Sequence, residues 1–479
     1  MANKEINIEL LKLAAFSDEE IEQFLPDWLK AVEAVGLNDD DVRNAVEDYI
    51  PTHWDIQYLG IRKLIGAFLR ELVEMTKTKQ YKAEGKPIVY GILPSITLPF
   101  NAIKRASKGE AYVAFPDLLL VAILNGIFHK AGPLLQVAEE ANFTYGCRHC
   151  PLNKARFAGF AKGIISAPDV IWSWGLTCDE GPKTDEMIQC MVGENWRYVI
   201  SRIPHDTYFG SHEDEDEERI TYLSKVLRTD MEEVYDIIGV HPTDEDLQEA
   251  INENNRVVFK AATLSNLVSS ADPVPLRGFE LPFFQVIFCT PFNLGYKYIE
   301  EALDITIKEV KKAVKAGEGI LPKGSPKLGS YFAPYPLPWV DKMFMDNGVI
   351  TCLSECIAPA ARQLKPGKYT DPYMSIAESW LRMELGVNTG YEVEDMVEKV
   401  TTSKVDGMYM GLFDFDRWLG AHQKMCATLV EKETGVPHYY IEGDFWDDRE
   451  YSQEAMRTRI ESICQIIRMK KAEKDAENE

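Results

Sequence analysis

From Asn7 to about Lys82 the apolar residues recur at helical spacing. Leu10, Leu11 and Leu13, then Ile21, Phe24, Leu25, Trp28 and Leu29, then Leu64, Ile65, Phe68, Leu69 and Leu72 mark three or more amphipathic helices. Ser17 ahead of Asp18, Glu19 and Glu20 offers an N-cap with an acidic first turn. From Lys86 the period changes. Pro87–Pro94 reads as a buried strand, helical patterns follow to about Glu140, and strands recur at Val170–Thr177 and Tyr198–Ile203. The acidic run Glu213–Glu218 opens a mostly helical stretch to about Ser269, Pro273–Glu280 breaks it, and a long helix follows around Tyr296–Lys315. A second series of strands, Lys327–Phe332, Gly348–Leu353, Gly407–Phe413 and His438–Ile441, precedes a last helix from about Gln453 to Met469. The charged tail after it is expected to fray. Strands alternating with helices imply mostly parallel sheets covered on both faces.

This pattern divides the chain into a helical N-terminal region (1–85), a first α/β domain (86–210), a mostly helical segment (211–325), a second α/β domain (326–469) and the tail (470–479). At 479 residues the chain is too long for one ordinary core, so more than one domain is expected. The net charge of −24 argues against nucleic acid, since nothing here would neutralise a run of phosphates. The longest apolar run, around Pro116 to Phe128, is too short to cross a bilayer and contains Asp117 and Asn125, so no membrane association is expected. The 9 cysteines, an odd number spread along the chain, do not resemble a disulfide framework. The opening residues Met1–Ile6 carry no apolar targeting stretch, and a cytoplasmic, reducing location is the expectation.

Chemistry concentrates in three cysteines. Cys147 and Cys150 form a CxxC pair, and Cys178 ends the apolar run from Asp169 to Thr177. A cysteine at a strand's carboxyl end lies where open α/β sheets bind ligands. Thiolates gathered there suit a metal, above all an iron–sulfur cluster. The bland alternative is a redox pair, or two ordinary thiols with Cys178 unrelated. His149 inside the CxxC and His205 beyond another strand are candidate ligands or proton donors, each with a plain hydrogen-bonding alternative. Asp179 and Glu180 either orient ligands or cap the next helix. Cys190, Cys289 and Cys464 read as core thiols, and Trp172, Trp174, Trp196 and Tyr198 as strand core. Neither GxGxxG nor a Walker-type loop appears, and hydrolytic motifs are missing too.

With the two α/β units and the thiols placed, the chain resembles the 2-hydroxyacyl-CoA dehydratase and benzoyl-CoA reductase family over about residues 86–464. Cys150 followed by Pro151, Arg156 and Gly159 looks like the family's first cysteine motif. Pro168-Asp169 leading to Cys178-Asp179, then Lys183-Thr184, looks like its second. Pro273-Val274-Pro275-Leu276-Arg277-Gly278-Phe279-Glu280 resembles the segment after the helical insertion. Asp406-Gly407, Gly435-Val436-Pro437, Glu442-Gly443-Asp444, Asp448-Arg449 and Arg457 with Arg459 follow the family's C-terminal order. The fold this implies is α/β, with two Rossmann- or flavodoxin-like parallel-sheet domains, an N-terminal helical region and a helical insertion.

One departure stands out. The family's third cysteine corresponds here to Asp416. Three replacements are open: Cys147, favoured because CxxC spacing recurs at cluster sites; Asp416 itself, a harder donor; or Cys352, Cys356 or Cys426 from the second unit. The resemblance implies a [4Fe-4S] cluster held by Cys150 and Cys178, to which the favoured replacement adds Cys147, with a larger double cluster as an alternative. It also implies radical chemistry on a coenzyme A thioester: one electron placed on the thioester carbonyl gives a ketyl radical anion that expels the neighbouring hydroxyl. In the reductase branch the electron enters an aromatic ring. The implied partners are an acyl-CoA substrate, an ATP-dependent iron–sulfur activator and a related α/β subunit, in a heterodimer or homodimer. A cluster-free partner subunit is the remaining alternative.

Overall fold

The computed structural model describes residues 4–92, 96–143, 150–175, 181, 184–204, 213–331, 337–355, 368–381, 389–412, 417–442, 447, 449 and 452–478. Its frame is a pair of four-stranded parallel sheets. In the first, β1 (Ile88–Gly91), β2 (Tyr112–Ala114), β3 (Val170–Gly175) and β4 (Arg197–Arg202) lie in the order β2-β1-β3-β4. In the second, β5 (Lys327–Tyr331), β6 (Ile350–Glu355), β7 (Gly407–Leu412) and β8 (His438–Glu442) lie in the order β6-β5-β7-β8. The two orders are the same doubly wound topology, with the switch point between β1 and β3 in one unit and between β5 and β7 in the other. That is the expected architecture of two parallel sheets, and it makes the two units topological copies.

Alternation along each strand explains why both faces are covered. Ile88, Tyr90 and Ile171 face one core while Val89, Val170 and Trp172 face another. In the second sheet Ile350, Cys352, Met408 and Met410 join the first of these cores, whereas Leu328, Tyr409 and Ile441 pack on a third with the helices Pro338–Asp346 and Gln453–Asn478. The large central core therefore touches both sheets. It is filled from the N-terminal helices by Trp28, Trp54, Leu64, Phe68 and Leu72. Ser17 caps the helix Asp18–Ala34 as expected, in a box closed by Glu20.

Matched aspartates set the strand registers. Asp169, just ahead of β3, accepts the Ile88 amide that opens β1, at 2.8 Å. Asp406, just ahead of β7, accepts the Lys327 amide that opens β5, at 2.9 Å. Both belong to the motifs that carry the family resemblance, so those motif positions tie neighbouring strands together.

The segment Arg277–Glu280 locks the N-terminal helices to the second sheet. Arg277 donates to the carbonyls of Thr52 and His53, its backbone amide donates to Asp55, and Glu280 accepts the Asp55 amide at 2.7 Å. Gly278 lies against β6, where a Cβ would meet the Thr351 carbonyl carbon at 2.8 Å and the Cys352 amide nitrogen at 2.9 Å. Backbone cannot yield as a side-chain tip can. Gly278→Ala is accordingly expected to destabilise the chain by about 1–3 kcal/mol, the cost of overpacking a filled core, read as a lower midpoint in urea unfolding.

Two elements differ from expectation. The stretch read as helical up to Glu140 contains β2, and the C-terminal helix continues through the charged tail to Asn478. Lys, Ala and Glu dominate that tail and are good helix formers, so propensity prevails over the lack of an apolar face. Among the described residues, no helix is long and apolar enough to cross a membrane.

Candidate functional site

Cys150 sits at the N-cap of the helix Pro151–Ala161, only 9% exposed. Pro151 fills the first helical position, where its missing N–H costs nothing. The Cys150 carbonyl accepts the amides of Asn153 and Lys154 at 2.9 and 3.2 Å, which fixes the thiol-bearing residue at the positive end of the helix dipole. Every residue from Pro151 to Gly159 is buried, so this helix has no solvent face. It nevertheless carries two cations.

Arg156 is fully buried. Its Nη2 donates to the Gly181 carbonyl at 3.2 Å and to Thr184 Oγ1 at 3.0 Å, and its Nη1 lies 3.8 Å from Asp117. Gly181 follows shortly after Cys178 in the chain, and it is to Gly181 that the helix starting at Cys150 is bonded. Burial pushes the Asp117 carboxyl up to about 6 in spite of the opposing Arg156 charge. Burial likewise raises Asp185 above the ordinary range, again against Arg156. Among the described residues, the Arg156 Nε and Nη1 hydrogens reach no acceptor within hydrogen-bond range.

Lys154 points the other way, into the junction between the two units. Its Nζ lies 3.1 Å from Glu139 and 3.8 Å from Asp447, a fully buried carboxylate that follows β8. Arg449 closes the group, with Nη2 at 2.8 Å from Glu139 and at 2.5 Å from Asp447. These contacts hold the arginine proton far more tightly than usual, the hydrogen bond to Asp447 being the main cause. Gly132 admits the Arg449 side chain, because a Cβ there would lie 2.8 Å from its Cδ. Asp447→Asn would leave Lys154 and Arg449 sharing Glu139 alone. A loss of about 1.5–3 kcal/mol is expected, the scale of a hydrogen bond to a charged group, measurable as a lower urea midpoint.

The sequence candidates divide clearly. Cys147, His149, Cys178, Asp179, Glu180, His205, Cys356, Asp416 and Asp448 lie outside the described residues. Topology places two of them in the chain. Cys178 follows β3 and Asp416 follows β7, the corresponding strands of the two copies, each bordering a switch point. Cys352 lies in the core on β6, where burial pushes its thiol up to about 12, as it does for Cys289 and Cys464. Such thiols stay protonated near neutral pH and are poor ligands. Cys190, expected in the core, is exposed: the helix Asp185–Val192 buries Asp185 and Ile188 and turns Cys190 outward. Cys426 faces His422 in the second unit, on the helix Arg417–Thr434.

Sequence reading set Arg449 in a family motif but missed the group it forms with Glu139, Lys154 and Asp447. A usable signal existed in Lys154 and Arg156, charged residues in a helix of otherwise apolar and small positions, the mark of buried ion pairs.

Two doubly wound parallel sheets, with a buried cysteine at a helix N-terminus in the first unit, define an α/β protein. The chain belongs to the 2-hydroxyglutaryl-CoA dehydratase D-component family, whose model matches residues 112–467. It is similar to the alpha subunit of (R)-2-hydroxyisocaproyl-CoA dehydratase from Clostridioides difficile, 23% identical over 362 residues that cover 72% of this chain and 84% of that protein. It is also similar to a benzoyl-CoA reductase subunit from Thauera aromatica, 24% identical over 213 residues that cover 42% of this chain and 49% of that one.

Proposed function

We propose that this chain is the iron–sulfur subunit of a 2-hydroxyacyl-CoA dehydratase. It would take single electrons from an ATP-dependent activator, act on an acyl-CoA thioester in the cytoplasm, and pair with a related α/β subunit. The observation that carries the reading is the bond from Arg156 to Gly181, which ties the Cys150 helix to a residue shortly after Cys178 in the chain, within a family of dehydratase components.

The described residues fit an anionic sulfur-bound group. Cys150 is buried at a helix N-terminus, and Arg156 keeps N–H donors that no described acceptor uses. Both features favour thiolates and negative charge. Cys147, Cys150 and Cys178 would hold a [4Fe-4S] cluster, which supplies one-electron transfer and a Lewis-acidic iron. Arg156 positions the two cysteine segments. Lys154, Glu139, Asp447 and Arg449 tie the Cys150 helix to the residues that follow β8.

The likeness to a component of benzoyl-CoA reductase favours ring reduction as a second reading. The two separate in an anaerobic assay with activator, ATP and reductant. Water loss from a 2-hydroxyacyl-CoA is the expected result; reduction of an aromatic acyl-CoA with no dehydration would select the other reading.

A further inference from the structure

Glu392, His422 and Cys426 meet in the second unit. His422 and Cys426 are one helical turn apart on Arg417–Thr434, so imidazole and thiol lie on the same face. Glu392 projects from the first turn of Thr389–Ser403, the helix packed against it. His422 Nε2 is 2.8 Å from Glu392 Oε2 and 3.5 Å from Cys426 Sγ, and the three donor atoms all lie within 4.8 Å of one another. All three side chains are buried, with exposures of 6%, 5% and 0%.

We propose that this is a second metal site, built for a borderline-soft divalent cation of the zinc class. One sulfur, one imidazole nitrogen and one carboxylate oxygen are the donors zinc takes, whereas magnesium and calcium want oxygen alone. Bond lengths of about 2.3 Å to sulfur and 2.0 Å to nitrogen place tetrahedral sulfur and nitrogen donors about 3.5 Å apart. The Cys426–His422 separation already has that value within a tenth of an ångström or so. The His422–Glu392 pair must open by about half an ångström to admit the ion, a small rotation of two side chains. On binding, Cys426 gives its proton to solvent and His422 Nε2 presents its lone pair. Zn²⁺ with one thiolate and one carboxylate is then electrically neutral, which suits a buried location. The two helices flank β7 in the chain, so the ion would clamp both sides of the strand that leads to Asp416. The site does not depend on the cluster reading.

The test is zinc alone added anaerobically to the full-length protein, with X-ray absorption at the zinc edge for the first equivalent bound. A single sulfur neighbour at about 2.3 Å beside nitrogen and oxygen neighbours is expected. Cys426→Ala and His422→Gln are each expected to weaken binding by about a hundredfold. Two or three sulfur neighbours would assign the ion to Cys147, Cys150 and Cys178 and overturn the proposal, as would binding unchanged in Cys426→Ala or no binding at all. Should a variant fail to fold, the sulfur count in the unaltered protein decides the question.

Discussion

Cys150→Ala and Cys178→Ala, purified without oxygen, are expected to retain less than about a tenth of the wild-type iron and to show no dehydration activity, since a cluster that loses one thiolate loses most of its affinity. The contrast with Cys352→Ala makes the result specific. Cys352 is a protonated core thiol in the second sheet, so its loss should leave the iron content unchanged and cost about 1 kcal/mol of packing. Iron and sulfide analysis of the three variants reads both outcomes together. Iron retained in Cys150→Ala would mean that the helix N-terminus beside the first switch point holds nothing.

Arg156→Met is expected to have the second-largest effect. It removes the donor that reaches Gly181 and Thr184 and leaves Asp117 buried without its cation, at a cost of about 3–5 kcal/mol. The pH dependence follows from the carboxyl. Asp117 binds its proton more tightly in the folded chain, at about 6, than in the unfolded chain, near its ordinary 3.8. The native state therefore holds more protons in that window, and the Asp117 contribution to stability falls as pH rises through it. Arg156 helps only the ionised carboxyl. The deficit of Arg156→Met should accordingly be smallest below about pH 6 and grow as pH rises above it, since Asp117 without its cation keeps its proton to higher pH, and the double variant with Asp117→Asn should recover the pH-dependent part of it. Urea unfolding across that range checks both the size and the sign. A deficit that grew on acidification would refute the pairing.

Much of the frame was legible from period. Seven strands could be read because Val, Ile and aromatic runs at β1, β3 and β4 and at β5 to β8 are bounded by Gly, Pro and Asp. β2 escaped because Tyr112–Ala114 is only 3 residues long and runs at once into the apolar helix Pro116–Gly126, leaving no change of period to see. The thiols could be read as candidate ligands because CxxC and a cysteine after a strand are local patterns. The clamp of Glu139 on Arg449 was not, since the pair is separated by 310 positions and one sequence carries no trace of such a pairing. The cluster of Glu392 with His422 and Cys426 was half legible. The i, i+4 histidine and cysteine could be seen on one helix, but the carboxylate comes from another.

The resemblance added what period could not. It singled out Asp169 and Asp406, which bind matching strand openings in the two sheets, and Gly278, which the close approach to β6 requires. These positions support the fold. In the proposed reading the chemistry would rest on the cysteines, with Asp416 standing where the family's third cysteine is expected.

The most direct test of the central claim is iron and sulfide content with electron paramagnetic resonance on the reduced, anaerobically purified protein, repeated for Cys147→Ala and Asp416→Ala. A three-thiolate cluster predicts a [4Fe-4S] signal in the unaltered chain that is lost in Cys147→Ala and kept in Asp416→Ala. A signal kept in the first and lost in the second, or no iron in the unaltered chain, would contradict it.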